Sequence, residues 1–302
     1  MKKLSFSKLE KRQKEDWKKW ANYWRLLTEC ARPSRNDIQI IGHIINKKIK
    51  TCKSPVIVIL GSTPEFRDLC VSYTIEYKAK VVCVELVEDM YRAMTDLTLL
   101  KNKKEDVVFE NWLSMSLPNK FADIVIGDLT EGNIEEKFKT KYLSEINRIL
   151  KKNGKYIVRQ TAYISKERAK PVITLKQIEQ KLEIYKQKVL EGRITMHQAG
   201  NYLGAELAWD SWYKTSGKKI SLSVYDAELE KIRRKIKEDN LKREILEILY
   251  KVWGPIKDKY WEYYSLDQTV NHFKKFFKDI KYHYSTDYPV AKYTPIFEMV
   301  KK

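Results

Sequence analysis

The chain has 302 residues, and 59 Lys and Arg against 40 Asp and Glu leave a formal net charge of +19 at pH 7. With 43% hydrophobic residues but only 10 glycines and 8 prolines, the composition excludes a mainly disordered or collagen-like chain. The sequence has no apolar run of the roughly 18 to 20 residues that a membrane helix needs, no apolar signal-peptide core and no paired cysteines, so we expect a cytoplasmic protein without membrane contact, disulfides or a zinc site.

The first 54 residues predict a helical extension. Four apolar side chains recur there at spacings of three and four and so share one helix face: Trp17, Trp20, Trp24 and Leu27. This face either packs on the rest of the protein, at the sheet or over its mouth, or forms a basic aromatic stripe that stacks on nucleic-acid bases. Pro33 ends the helix, and Ser34 or Asn36 is suited to cap a second helix over residues 38–45.

Residues 55–164 predict a parallel sheet built from repeated strand–helix units. Short apolar runs alternate with amphipathic segments, and the run at 56–60 is continuously apolar, as in a strand that is covered on both faces. The predicted strands are residues 56–60, 80–85, 106–110, 122–128 and 155–159. Helices are expected between them, including one over 141–150.

Polar residues and a glycine follow these strands at the edge where ligands bind. In open α/β sheets this edge is formed by the carboxyl ends of the strands, and here it carries Gly61, Glu85, Asn111 and Asp128. Glu85 follows Gly61 at close to the ~20-residue separation at which an acid binds ribose hydroxyls in nucleotide-binding sheets. Taken alone, Gly61 is also explained by a tight turn, Glu85 by an exposed strand end, and Asp128 by a turn cap.

Five segments in order carry a resemblance to a known family: residues 60–69 (LGSTPEFRDL), 84–90 (VELVEDM), 111–112 (NW), 121–128 (FADIVIGD) and 145–154 (EINRILKKNG). Together they resemble the successive motifs of class I S-adenosylmethionine-dependent methyltransferases, and more narrowly the subset whose first loop reads Gly-x-Thr-Pro-Glu. The resemblance implies an α/β fold with a Rossmann-like, mostly parallel sheet, an antiparallel last strand, and S-adenosyl-L-methionine as cofactor.

The resemblance also implies roles for individual residues. The loop under the methionine part of the cofactor would be formed by Gly61, Ser62 and Thr63, with Glu65 also at the cofactor. Glu85 would bind the ribose diol, Asn111 and Trp112 would border the adenine, and Asp128 would lie near the methionine amino group or the substrate. Two features depart from the common pattern: the first loop keeps one glycine, and Asn111 stands where many members have an acid.

Beyond the fifth strand, the chain predicts an insertion and a closing hairpin. Residues 281–285 and 295–300 supply the antiparallel hairpin, with a helix over 266–277 before it. The roughly 100 residues between are too long for an ordinary connection and have helical patterns throughout. We therefore predict four parts: a helical extension (1–54), the cofactor-binding core (55–164), a helical insertion or substrate cap (165–265), and the last helix with the C-terminal hairpin that completes the core sheet (266–302).

Candidate substrate and catalytic residues come from this insertion and from the fourth strand. Tyr202, Trp209 and Tyr213 combine aromatic walls with polar atoms, which is typical of a small-molecule site, although an aromatic helix packed on its neighbours also explains them. Asp128 and, second, His197 are the candidate bases for deprotonating an acceptor.

The sequence leaves three functions open. The first is a methyltransferase that transfers a methyl group to an O or N atom of a small molecule. The second is an RNA methyltransferase that binds phosphates with its flanks, because residues 1–54 and 165–302 carry formal charges of +10 and +9 while residues 55–164 are neutral. The third is a non-catalytic Rossmann-like binding protein. The residues give no metal site, and the oligomeric state stays open.

Overall fold

The structure is a computed structural model that describes residues 6–21, 23–100, 105–163, 173–214, 219–220, 222–254, 259–260 and 264–302. Its strands are β1 Val56–Leu60, β2 Lys80–Glu85, β3 Glu105–Phe109, β4 Ala122–Asp128, β5 Leu150–Arg159, β6 Ala162–Tyr163, β7 Lys219–Ile220, β8 Lys259–Tyr260, β9 Tyr264–Ser265, β10 Phe277–His283 and β11 Ile296–Lys301. Its helices are α1 Phe6–Ala21, α2 Arg35–Ile49, α3 Pro64–Glu76, α4 Glu88–Asp96, α5 Glu136–Ile149, α6 Leu175–Leu190, α7 Met196–Lys214, α8 Asp226–Lys235, α9 Asn240–Trp253 and α10 Leu266–Phe273. No described helix combines the length and the apolarity that crossing a membrane requires.

Seven strands form the main sheet in the order β10-β11-β5-β4-β1-β2-β3. The first five strands along the chain run parallel, whereas β11 is antiparallel to β5 and β10 is antiparallel to β11. The strand order reverses between β1 and β4, which opens a crevice at their carboxyl ends. This is the Rossmann-like methyltransferase sheet with reversed last strands, so the predicted fold class is confirmed.

Apolar side chains of the central strands divide between the two faces of the sheet. Ile57 and Ile59 pack into the cluster under α2 and α3, whereas Val58 and Leu60 pack into the cluster under α5 and α10. Because successive side chains of a strand point to opposite faces, a continuous apolar run fills both layers. Ser34 caps α2 in a capping box with Asp37, one of the two caps that the sequence allows.

Helices α6 to α9 form a third apolar cluster, in which α7 packs along α9. Leu27 and Ala31 from the N-terminal region and Tyr288 from the C-terminal region belong to the same cluster. Strand β6 pairs with β9, so the chain between residues 163 and 264 leaves and returns at one place. This arrangement is consistent with the predicted insertion, whose boundaries remain a prediction.

Helix boundaries depart from the apolar spacing of the sequence at residues 17–27, 90–100 and 232–249, and the helix predicted over 266–277 reaches only Phe273. The N-terminal helix stops at Ala21, and a 3-10 turn over Trp24–Leu26 follows it. Helix α4 stops at Asp96 because Asp68 accepts the backbone N–H groups of Leu99 and Leu100 and so holds the chain in a loop. The last insertion segment is two helices, because Asp239 accepts the backbone N–H of Lys242 and starts α9 anew.

Candidate functional site

A cavity of about 1100 Å³, its open mouth included, lies at the carboxyl ends of β1, β2 and β4. This is the crevice that the reversal of strand order creates. The residues that line it are Gln13, Trp17, Trp24, Leu27, Ala31, Leu60, Gly61, Ser62, Thr63, Glu85, Leu86, Met90, Met94, Asn111, Trp112, Asp128, Leu129, Asn133, Ile134 and Trp253.

Gly61 turns the chain from β1 into the loop that borders the cavity. Its φ of +91° lies in the left-handed region, where a side chain is strained, and its N–H donates to the Val84 carbonyl at 2.8 Å. A Cβ at this position would stand 3.6 Å from the Trp112 ring and 3.9 Å from Oε2 of Glu85. Glycine therefore keeps open a cradle with Glu85 and Trp112 as its walls.

Glu85 ends β2 with a carboxylate that is only 7% exposed. Oε2 accepts from the Ser62 hydroxyl at 2.9 Å, and Oε1 accepts from the backbone N–H groups of Leu86 at 2.7 Å and Val87 at 3.3 Å. Burial raises the pKa of Glu85 above the usual carboxyl value, although these hydrogen bonds oppose the rise. The side chain is therefore fixed in position at a cost in desolvation.

Asn111 and Trp112 follow β3 and close the cradle. The Trp112 indole N–H donates to the Val84 carbonyl at 2.7 Å, which fixes the plane of the ring beside Gly61. Asn111 accepts the backbone N–H of Leu113 through Oδ1 at 3.0 Å, and its amide nitrogen donates to Glu10 at 3.4 Å. The predicted adenine-side residues thus lie together at the cavity.

Asp128 ends β4 in an ion pair with Arg159. Both carboxylate oxygens accept from the guanidinium, at 2.6 Å and 3.1 Å, and Arg159 is fully buried. Arg159 also contacts the Asp37 carboxylate at 3.4 Å and the Tyr288 hydroxyl at 3.2 Å. Burial raises the pKa of Asp128 to about 6, with Arg159 opposing the rise, so Asp128 is mostly ionised at neutral pH.

The structure does not bring every predicted residue to this cavity. Glu65 is turned away and accepts from Arg32 at 2.8 Å. His197 lies outside the lining, with Nε2 hydrogen-bonded to the Leu26 carbonyl at 2.9 Å, so its contact is with backbone rather than with the cavity. Tyr202 is buried beside Glu29 and Gln198, also away from the cavity. Packing between the insertion and the N-terminal segment accounts for both.

Trp209 and Tyr213 are the remaining residues that the sequence predicted to contact the substrate. Trp209 stacks on Tyr293 with ring centroids 4.7 Å apart and lines a second, smaller cavity. Tyr213 belongs to α7, but its side chain lies outside the described part of the structure.

Several lining residues were not among the predicted site residues. Trp17 on α1 and Trp24 in the 3-10 turn after it reach the cavity because α1 packs on α4, where Met90 and Met94 belong to the same apolar cluster. Their spacing in the sequence was the signal, and it agrees with packing over the mouth of the sheet. The sequence carries only a weak indication that Arg159 pairs with Asp128, namely a basic residue at the end of an apolar strand. The described residues contain no group of three or more His, Cys, Asp or Glu arranged to hold a metal.

Comparison with known proteins bears on the fold alone. No protein-family model and no curated protein matches the sequence. A Rhodobacter sphaeroides structure described as a zinc-dependent alcohol dehydrogenase is similar with a TM-score of 0.52 and 12% identity, over 96% of this chain and 98% of that one. A Nostoc punctiforme structure described as an O-methyltransferase gives a TM-score of 0.50 and 10% identity, over 94% of this chain and 60% of that one. The N-methyltransferase NodS of Bradyrhizobium japonicum, in complex with S-adenosyl-L-homocysteine, gives a TM-score of 0.49 and 5% identity, over 95% of this chain and 97% of that one.

Proposed function

We propose that this protein is an S-adenosylmethionine-dependent methyltransferase that modifies an O or N atom of a small molecule. The observation that carries the proposal is the cradle at the switch point of the sheet, in which Gly61 at φ +91° faces Glu85 and Trp112. The ordered sequence motifs and the methyltransferase-type sheet support the same proposal.

The residues of the cavity fit the cofactor by their chemistry. Glu85 offers a buried carboxylate to the ribose diol: Oε1 already accepts two backbone N–H groups, so Oε2, which also accepts from Ser62, is the oxygen with capacity to accept a ribose hydroxyl. Trp112 and the Asn111 amide would border the adenine, and the loop of Gly61, Ser62 and Thr63 would hold the methionine part. When bound, S-adenosylmethionine supplies a methyl group that a positively charged sulfur activates.

The charges of the lining favour this cofactor and a small acceptor. The described lining contains the carboxylates of Glu85 and Asp128 but no Lys, Arg or His. A cavity of that sign suits a cationic cofactor, and it offers no cation to a phosphate group. In a chain of net charge +19, this contrast favours a small-molecule acceptor over RNA at the reaction site.

Asp128 is the residue that we propose as proton acceptor. An O–H or N–H acceptor must lose a proton when it gains a methyl group, and Asp128 is the ionised carboxylate at the end of β4 in this cavity. Arg159 holds the carboxylate through both oxygens, so it acts as a positioning residue. His197 does not reach the cavity, which leaves Asp128 as the candidate base.

Calorimetric titration with S-adenosylmethionine and S-adenosylhomocysteine tests the proposal, with NAD⁺ as a comparison ligand. We expect saturable binding of the first two ligands and none of NAD⁺, because the first loop lacks the Gly-x-Gly-x-x-Gly pattern. If neither S-adenosylmethionine nor S-adenosylhomocysteine gives a heat of binding, the proposal is refuted and the non-catalytic binding protein is favoured.

The RNA alternative has a separate test. Filter binding to total RNA over a salt series should show affinity that falls steeply with salt if the basic flanks hold phosphates. Weak retention that is indifferent to salt would remove this alternative.

A further inference from the structure

A second cavity of about 430 Å³, its open mouth included, adjoins the first behind Trp253. The two cavities share Ala31, Leu129 and Trp253 in their walls, so they meet along these three residues. The second cavity lies between the N-terminal segment, α7, the end of α9 and the C-terminal region. The rest of its lining is Cys30, Thr161, Ala205, Ala208, Trp209, Val290, Tyr293 and Thr294.

The lining of the second cavity carries no formal charge. None of its described residues is acidic or basic, and burial raises the pKa of the Cys30 thiol well above its usual value, so that group also stays neutral. Trp209 and Tyr293 stack with an interplanar angle of 16° and form a flat aromatic wall. A charged ligand would lose its hydration here without gaining a counter-charge, whereas a flat apolar ligand loses little.

Small residues on α7 create the space and the position of Trp253. Ala205 and Ala208 face the cavity one turn apart, where larger side chains would fill it. A Cβ on Gly204 would stand 2.2 Å from Cδ1 of Trp253, so glycine lets the indole pack directly on the α7 backbone. Trp253 is 5% exposed, and its indole N–H has no hydrogen-bond partner among the described residues.

We propose that the second cavity binds the body of the methyl acceptor, and that the acceptor is a small, uncharged, flat and largely apolar molecule with a hydrogen-bond-accepting oxygen or nitrogen. Trp253 determines specificity because it lines both cavities and offers a buried donor to that atom. This inference rests on the proposed methyltransferase function. It goes beyond that function by naming the substrate class and the residues that select it.

Three bicyclic probes test the substrate class on the full-length protein saturated with S-adenosylhomocysteine, so that the first cavity is occupied. Quinoline and naphthalene have the same shape, but only quinoline carries an accepting ring nitrogen, while 2-naphthoate carries a negative charge. By saturation-transfer NMR and calorimetry, we expect quinoline to bind about 2- to 10-fold more tightly than naphthalene, the gain of one hydrogen bond. We expect 2-naphthoate to bind more weakly than either, despite the net charge of the protein. The opposite order for 2-naphthoate, or no binding of quinoline, would overturn the inference.

Two variants locate the probe. Trp253→Phe keeps an aromatic ring but removes the donor, so quinoline should fall to the affinity of naphthalene while naphthalene changes little. Ala208→Leu fills the cavity and should weaken quinoline and naphthalene alike by about tenfold or more. Because Ala208 does not line the first cavity, Ala208→Leu should keep the wild-type affinity for S-adenosylhomocysteine, and thermal unfolding verifies that both variants fold. Quinoline binding that neither substitution alters would place the probe elsewhere and refute the inference.

Titration of S-adenosylhomocysteine on the same samples separates the two proposals. If it binds and the probes do not, the methyltransferase proposal stands and the acceptor inference fails. If it does not bind, the methyltransferase proposal fails and takes the acceptor role with it, whatever the probes do.

Discussion

Replacing Glu85 by glutamine separates a functional role of this carboxylate from a structural one. In the folded protein, Oε1 of Glu85 accepts two backbone N–H groups, and Oε2 accepts from Ser62 at 2.9 Å. Glutamine keeps the shape and one accepting oxygen, so the backbone hydrogen bonds can persist. It removes the negative charge and replaces the accepting Oε2, which we propose binds a ribose hydroxyl, with a donating NH2 group.

The substitution should weaken cofactor binding and stabilise the free protein. Losing one hydrogen bond to a charged group costs about 1.5–3 kcal/mol, which corresponds to roughly 10- to 150-fold in the Kd for S-adenosylhomocysteine. Burial raises the pKa of Glu85, so the folded state holds this proton more tightly than the unfolded chain does. Its contribution to the free energy of unfolding is therefore greatest below the unfolded pKa and falls as pH rises through the folded pKa. At neutral pH, Glu85→Gln should raise Tm, and this gain should disappear in acid.

Calorimetry for the Kd and thermal unfolding over a pH series would measure both effects. Glu244→Gln is the matched control, because Glu244 is exposed on α9 and lines neither cavity, and should change neither quantity. A lower Tm for Glu85→Gln together with an unchanged Kd would show that Glu85 is structural, and the reasoning would fail.

Three further substitutions probe the backbone, the ion pair and its titration. Gly61→Ala should cost about 1–3 kcal/mol of stability because Gly61 has a positive φ, and it should also weaken S-adenosylhomocysteine binding. The control Gly192→Ala, at φ +68° with nothing within 4 Å of an added Cβ, should lower stability alone. Equal effects of the two substitutions on binding would contradict this expectation. Arg159→Met should cost about 3–5 kcal/mol in urea unfolding, because Asp128 is left buried without its partner, against at most ~1 kcal/mol for Arg234→Met at an exposed pair. If Arg159→Met lowers the free energy of unfolding no more than Arg234→Met does, Arg159 does not stabilise the fold through its ion pair with Asp128. The raised pKa of Asp128, from 3.8 to about 6, predicts that its contribution to the unfolding free energy declines as pH rises through this window, and Asp128→Asn should flatten that part of the profile. An identical slope in wild type and variant would exclude Asp128 as its source.

Local patterns accounted for the sheet and for the cofactor side of the cavity. A continuous apolar run such as 56–60 predicts a buried strand, and successive parallel strands bring their carboxyl ends to one edge. For this reason Gly61, Glu85, Trp112 and Asp128 could be placed together before any contact was known, and the structure has all four in one lining. Their roles as ligand contacts remain proposals.

The helical residues were harder to place, since helix periodicity predicts which face is apolar but not what that face meets. His197, Tyr202 and Trp209 share α7, yet the first bonds to backbone, the second lies near Glu29, and the third lines the second cavity. Each outcome depends on how the insertion packs on the N-terminal and C-terminal segments.

The net charge of +19 is known from the sequence, but its position relative to the cavities is known only from the structure. The sequence by itself determined where the charge lies along the chain, the succession of strands and helices in the core, and the residues at the strand ends, because these follow from composition and from periods of two and 3.6. Only the tertiary structure decided that both cavities lack Lys and Arg in their described linings, and that Arg159 lies buried against Asp128. The reason is that a cavity is enclosed by segments far apart in the chain, and the contacts between them depend on side-chain packing that no local pattern specifies.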